Sequence, residues 1–120
     1  MKTKLSRPFI LAFMLIGVIG CRRSSVVVEK ECVKNMEILD AAAHSYALER
    51  GLANSVSIDP HELAGFLRGG QVPMCSLGKM PYVTFDLVTG PSCPNSPDHT
   101  KAFREKRSKY SQSGQNTHQP

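Results

Sequence analysis

The residues of this chain with the most chemical reach are its four cysteines, Cys21, Cys32, Cys75 and Cys93, and four histidines, of which His44 and His61 lie between cysteines and His99 follows six residues after Cys93. Thiols can be acylated, oxidised in pairs or bound to a soft metal ion. Cys32, Cys75 and Cys93 allow one intramolecular disulfide with one thiol left over. With one of His44, His61 or His99 they also make up the ligand types of a Cys₃His zinc site. No Cys-x-x-Cys pair is present to support that reading. Catalytic signatures are missing as well: there is no GxSxG, HExxH, P-loop or paired-carboxylate pattern. Asp59, His61 and Glu62 are adjacent, but helix capping accounts for them. Ser76 and Ser92 have no base placed by sequence beside them. The expectation is a non-enzyme, with no catalytic residue, no metal and no cofactor.

Cys21 stands apart from the other three. It follows an apolar run, Pro8 to Gly20, of thirteen residues without a charge, which itself follows Lys2, Lys4 and Arg7. About 20 apolar residues are needed to cross a bilayer as a helix, so this run has the proportions of an export signal's apolar core. The tetrad Val18-Ile19-Gly20-Cys21 resembles a bacterial lipobox. That resemblance implies cleavage before Cys21 and acyl chains on its thiol and new amine. Each buried methylene contributes ~0.8 kcal/mol, so two or three chains hold a small domain firmly on a membrane. Arg22 follows the cysteine where an inner-membrane retention aspartate would stand. The resemblance therefore implies an extracytoplasmic domain, with the periplasmic face of the outer membrane favoured.

Removing residues 1–20 leaves a single small domain. The leader takes three of the fifteen Lys and Arg residues and no acid, leaving twelve against ten, a net charge of +2. Five of those twelve lie in Lys101, Arg104, Lys106, Arg107 and Lys109. The high pI thus reflects the two ends of the chain and not a binding face. Nucleic acid is not expected as a partner, because no aromatic interleaving supports stacking.

Periodicity places the elements. Residues 21–28 read as a tether. Cys32, Met36, Leu39, Ala43 and Tyr46 recur at helical spacing, with Val33 and Ala47 widening the stripe, and Gly51 is a stop. This predicts a helix over 29–50. Asp59-Pro60-His61-Glu62 starts a second, short helix that Gly69-Gly70 ends. Tyr82 to Val88 reads as a strand, Thr89-Gly90-Pro91 as a turn, and the stretch carrying Cys93 as a second strand. Cys75 and Cys93 flank that hairpin and form the preferred disulfide, with Cys32 left over. Residues 101–120 carry no apolar periodicity and read as a disordered basic and polar tail.

Several short elements together resemble the soluble half of the type II secretion major pseudopilins and related type IV pilin-like proteins. They are Cys32-Val33-Lys34-Asn35-Met36, Leu39-Asp40-Ala41-Ala42, Tyr46-Ala47-Leu48-Glu49, Leu67-Arg68-Gly69-Gly70, Val72-Pro73-Met74-Cys75 and Pro91-Ser92-Cys93-Pro94 running on to His99. The resemblance covers about residues 31–99. It implies an α+β fold over 29–100, with one amphipathic helix packed on a small antiparallel sheet. Prepilins continue from their cleavage site into an apolar helix with a glutamate at the fifth position. Here Cys21-Arg22-Arg23 follows, which removes the apolar surface that drives fibre packing. The resulting expectation is a lipid-anchored, pilin-like interaction domain tied to a secretion or pilus-like envelope system. Its partners would be the membrane, through Cys21, and an envelope protein. The alternatives are a true pseudopilin subunit and a small extracytoplasmic ligand-binding protein.

Overall fold

The computed structural model describes residues 24–113. Two α-helices frame the chain: α1 over Ser25–Arg50 and α2 over Pro97–Ser113. Between them lie two 3₁₀ segments, Pro60–Phe66 and Arg68–Gly70, and a looped stretch over 71–96.

The stripe read from sequence is the buried face of α1. Cys32, Val33, Met36, Leu39, Ala43 and Ala47 are all buried there, and Ala42 joins them. Four- and three-residue steps put these side chains on one side of a 3.6-residue helix. Burying a side chain of leucine or methionine size contributes about 1.5–3 kcal/mol each, so this face carries much of the fold. The helix begins earlier than predicted and takes in Val26, Val27 and Val28, so part of the expected tether is helical. Their β-branched cost is a few tenths of a kcal/mol each, small against continued propagation of a helix already nucleated by packing. Glu29 and Glu31 consequently fall beyond the first turn. Gly51 ends the helix at φ 63°, and the Leu52 N–H reaches the Ala47 carbonyl at 2.9 Å, closing the last turn.

The short element at Pro60 starts as predicted. The His61 N–H donates to Asp59 Oδ1 at 2.9 Å, and the Asp59 N–H donates to Glu62 Oε2 at 3.2 Å, a reciprocal capping box. It winds as 3₁₀, not α, and buries Pro60 and Leu63. Phe66 sets its ring edge-on to Tyr46 of α1 at 5.7 Å between centroids.

The expected sheet is absent among the described residues. Tyr82 to Val88 does not alternate: Tyr82, Phe85 and Leu87 are buried while Val83 and Val88 are exposed. Two isolated bridges take the place of strands, Ile58 with Phe85 and Met74 with Pro81. The physical reason is the proline spacing. Tyr82–Gly90 is itself free of proline, but the segments it and its neighbours meet are cut short: Pro60 stands two residues after Ile58, Pro73 directly precedes Met74, and Pro81 has no N–H to donate. The α+β expectation is therefore corrected to a helical fold with a looped side, and the pilin-like arrangement of helix on sheet goes with it.

The tail is corrected too. Of residues 101–120, expected to be disordered, 101–113 continue α2, and 114–120 lie outside the described residues. Phe103 is 1% exposed and is the apolar anchor. Lys106 Nζ pairs with Glu37 of α1 at 2.6 Å, and Arg107 Nε with Asp40 at 3.1 Å. A helix that is polar on most sides is held here by one aromatic side chain and charge pairing to its neighbour.

Candidate functional site

The three cysteines expected to be separated into a pair and a remainder meet at one point. Cys32 comes from the first turns of α1, Cys75 from the loop after the 3₁₀ segments, and Cys93 from the loop before α2. Cys32 Sγ lies 3.3 Å from Cys75 Sγ, Cys75 Sγ lies 3.5 Å from Cys93 Sγ, and Cys93 Sγ lies 4.0 Å from Cys32 Sγ. All three are buried, and no S–S bond joins them in this structure. Cys32 is thus a full member of the cluster. Cys21, the lipidation candidate, lies outside the described residues.

A histidine joins the thiols. His99, in the first turn of α2, is 8% exposed, and its Nδ1 lies 3.7 Å from Cys93 Sγ. The ligand atoms of Cys32, Cys93 and His99 all lie within 4.8 Å of one another. The other two histidines sit elsewhere. His44 Nδ1 is 2.8 Å from the Asp40 carbonyl on its own helix, and His61 spends its backbone N–H on the Asp59 cap.

Local structure explains why these four side chains converge. Cys32 is on the core stripe of α1. The Cys75 N–H donates to the Met80 carbonyl at 2.9 Å, closing the turn that holds the thiol inward, and Asn35 Nδ2 ties the neighbouring Met74 carbonyl to α1 at 3.0 Å. The Cys93 N–H donates to the buried Thr100 hydroxyl at 2.9 Å. That hydroxyl and the His99 N–H are in turn held at Ser96, which opens α2 ahead of Pro97 and Asp98. Tyr82 OH donates to the Cys32 carbonyl at 3.4 Å and roofs the cluster.

The electrostatics are uneven across the cluster. Burial pushes the Cys93 thiol up to about 12, and the Cys75 and Cys32 thiols beside it add to that. Burial also acts upward on Cys75, but hydrogen bonds from the Asn95 amide and from the two neighbouring thiols outweigh it and hold its pKa below the ordinary thiol value. Burial beside the cysteines raises the Tyr82 phenol, keeping it a neutral donor. Three thiols and an imidazole can form one disulfide or supply four donors to a soft ion; they hold no general base aimed at a nucleophile in an open cleft.

Sequence reading leaves His44, His61 and His99 as equal candidates for the cluster's histidine, and the structure selects His99. The signal was present: Ser96-Pro97-Asp98 has the same cap, proline and acid order as Asp59-Pro60-His61-Glu62. A helix started there turns His99 back toward Cys93.

A second feature is a groove of about 500 Å³ between α1 and α2, bordered by Glu37, Asp40, His44, Phe103, Arg107 and Tyr110. No helix among the described residues is long and apolar enough to cross a membrane. The chain matches no family model, no curated protein and no solved structure.

Proposed function

We propose that this chain is a bacterial envelope lipoprotein, held on a membrane by acyl chains on Cys21, whose small helical domain serves as a non-catalytic interaction module. The observation that carries the reading is Val18-Ile19-Gly20-Cys21 at the end of a charge-free run of export-signal length. The polar start, with Arg22, Arg23, Glu29, Lys30 and Glu31, disfavours packing in the core of a fibre.

The deciding experiment is the mass and fractionation of the full chain expressed in a bacterium, beside Cys21→Ser. A mature product beginning at Cys21 with added acyl mass, found in membranes and lost from them in the variant, establishes the anchor. An unmodified Cys21 removes it.

A further inference from the structure

We propose that Cys32, Cys75, Cys93 and His99 form a Cys₃His site for a single tetrahedral zinc ion, which fastens α1, the central loop and the start of α2 together. This goes beyond the anchoring reading and does not depend on it.

The geometry carries the inference. Zinc bound to thiolates at ~2.3 Å in a tetrahedron sets sulfur atoms ~3.8 Å apart, and a histidine nitrogen at ~2.0 Å sits ~3.5 Å from each sulfur. The three sulfur separations here are 3.3, 3.5 and 4.0 Å, and Cys93 Sγ to His99 Nδ1 is 3.7 Å. Cys32, Cys93 and His99 place their ligand atoms within 4.8 Å of one another, a group that Cys75 does not join, so the ion draws Cys75 and His99 toward each other on binding; sulfurs this close leave no room for a cluster of several irons. Soft thiolates with one imidazole suit zinc over the hard cations, which take oxygen ligands.

The alternative use of the same thiols is a disulfide. Any one S–S bond consumes two sulfurs and leaves a third thiol and an imidazole buried together at the same point. Four-coordination uses all four donors. The binding step is balanced simply: the three thiols bind as thiolates and release three protons to solvent, while neutral imidazole binds through a ring nitrogen lone pair. A divalent ion with three thiolates carries one net negative charge. Cys93 borders a surface depression lined also by Lys101, Arg104 and Glu105, which gives an entry path with a net positive rim. Outer contacts of the kind that steady metal ligands are also in place, with Thr100 on the Cys93 backbone and Tyr82 on that of Cys32.

The test uses the full chain, extracted in detergent without chelator. Metal analysis is expected to find about one zinc per chain. Site-resolved alkylation is expected to leave Cys32, Cys75 and Cys93 unmodified until a chelator is added. Cobalt titrated into the stripped protein is expected to give intense tetrahedral ligand-field bands with thiolate charge transfer. His99→Ala and Cys75→Ser are each expected to weaken binding beyond the ~10–100-fold that loss of an outer contact costs. Cys21→Ser is expected to keep the metal, so failure of the anchor and failure of this site are separate results. Absence of metal and of cobalt bands in the reduced wild-type chain overturns the proposal, whatever the variants do. So does isolation of the native protein with a disulfide among these three cysteines.

Discussion

Arg107 Nε lies 3.1 Å from Asp40 Oδ2, and the same guanidinium donates to the Leu87 carbonyl at 2.6 Å and to the Val88 carbonyl at 3.2 Å. One side chain on α2 therefore ties α1 to the loop that carries the buried Leu87. Both charged groups are mostly shielded from water, so removing one leaves the other costly. Arg107→Ala is expected to cost about 2–4 kcal/mol in urea unfolding, from the lost pair and the two carbonyls left without a donor. Arg107→Lys should recover only part of this, because an ammonium cannot fork to three acceptors in a plane. Asp40→Asn placed on Arg107→Ala should restore stability relative to the single change, a coupling that a double-mutant cycle reads directly. Additive costs would show that the pair is not coupled.

Truncation after Thr100 keeps all four residues of the cysteine–histidine cluster but removes Phe103 and Arg107. Phe103 is fully buried against the core, and its loss alone is expected to cost about 3–5 kcal/mol. The truncated chain should therefore melt far lower than the full chain or lose its cooperative transition. Leu39→Ala on the opposite wall is expected to cost about 2–5 kcal/mol by the same cavity argument. A melting temperature unchanged by truncation would mean that α2 does not dock.

What was legible in the sequence depended on which force held each element. The α1 stripe was legible because apolar periodicity and core burial are the same fact seen twice: Cys32, Met36, Leu39 and Ala43 were read together and lie buried together. The Asp59–Glu62 cap was legible because its chemistry is local. The strand at Tyr82 was misread because residue type favours strands there, whereas the deciding property is whether a partner segment with free donors exists, and the prolines remove it. The last helix was invisible to periodicity because Phe103 is its sole fully buried apolar residue, and the rest of its hold comes from polar contacts: the Thr100 hydroxyl, His99 and the ion pairs of Lys106 and Arg107. The cysteine cluster was half-legible. Residue types suggested a disulfide or a zinc site, but convergence of positions 32, 75, 93 and 99 is a property of the tertiary fold.

Two carboxyls bend the acid limb of stability in opposite directions. Burial raises the pKa of Asp40, against the pull of Arg107 and His44. A carboxyl raised in the folded state contributes its proton-linked stability below about 3.9, the unfolded aspartate value, and loses it as pH climbs through the folded value. Asp86 is the reverse. Its Oδ1 accepts from the Thr89 N–H at 2.8 Å, the Val88 N–H at 2.9 Å and the Thr89 hydroxyl at 3.1 Å, and the backbone bond from Thr89 leads in lowering its pKa. Its contribution is present above about 3.9 and fades as pH falls through the lower folded value. On acidification, wild type should gain on Asp40→Asn and lose its advantage over Asp86→Asn. Urea midpoints measured across that range decide it, and parallel curves for both variants would remove the assignment.

Gly90 and Gly51 both adopt positive φ, at 70° and 63°, yet they should respond differently to alanine. At Gly51 a Cβ would meet nothing within 4 Å, so Gly51→Ala carries the backbone cost alone, about 1 kcal/mol. At Gly90 a Cβ would lie 2.9 Å from the Arg107 guanidinium and 3.3 Å from the Phe103 ring. Those are the two side chains that hold α2, and neither can yield freely: Phe103 is packed in the core, and Arg107 is fixed by Asp40 and two carbonyls. Gly90→Ala is therefore expected to cost about 2–4 kcal/mol, backbone strain plus overpacking. The distinguishing measurement is Gly90→Ala on the Arg107→Ala background. If the clash with Arg107 is the larger part, the double variant should be little worse than Arg107→Ala alone. A full additional penalty would place the cost in the backbone turn, as at Gly51.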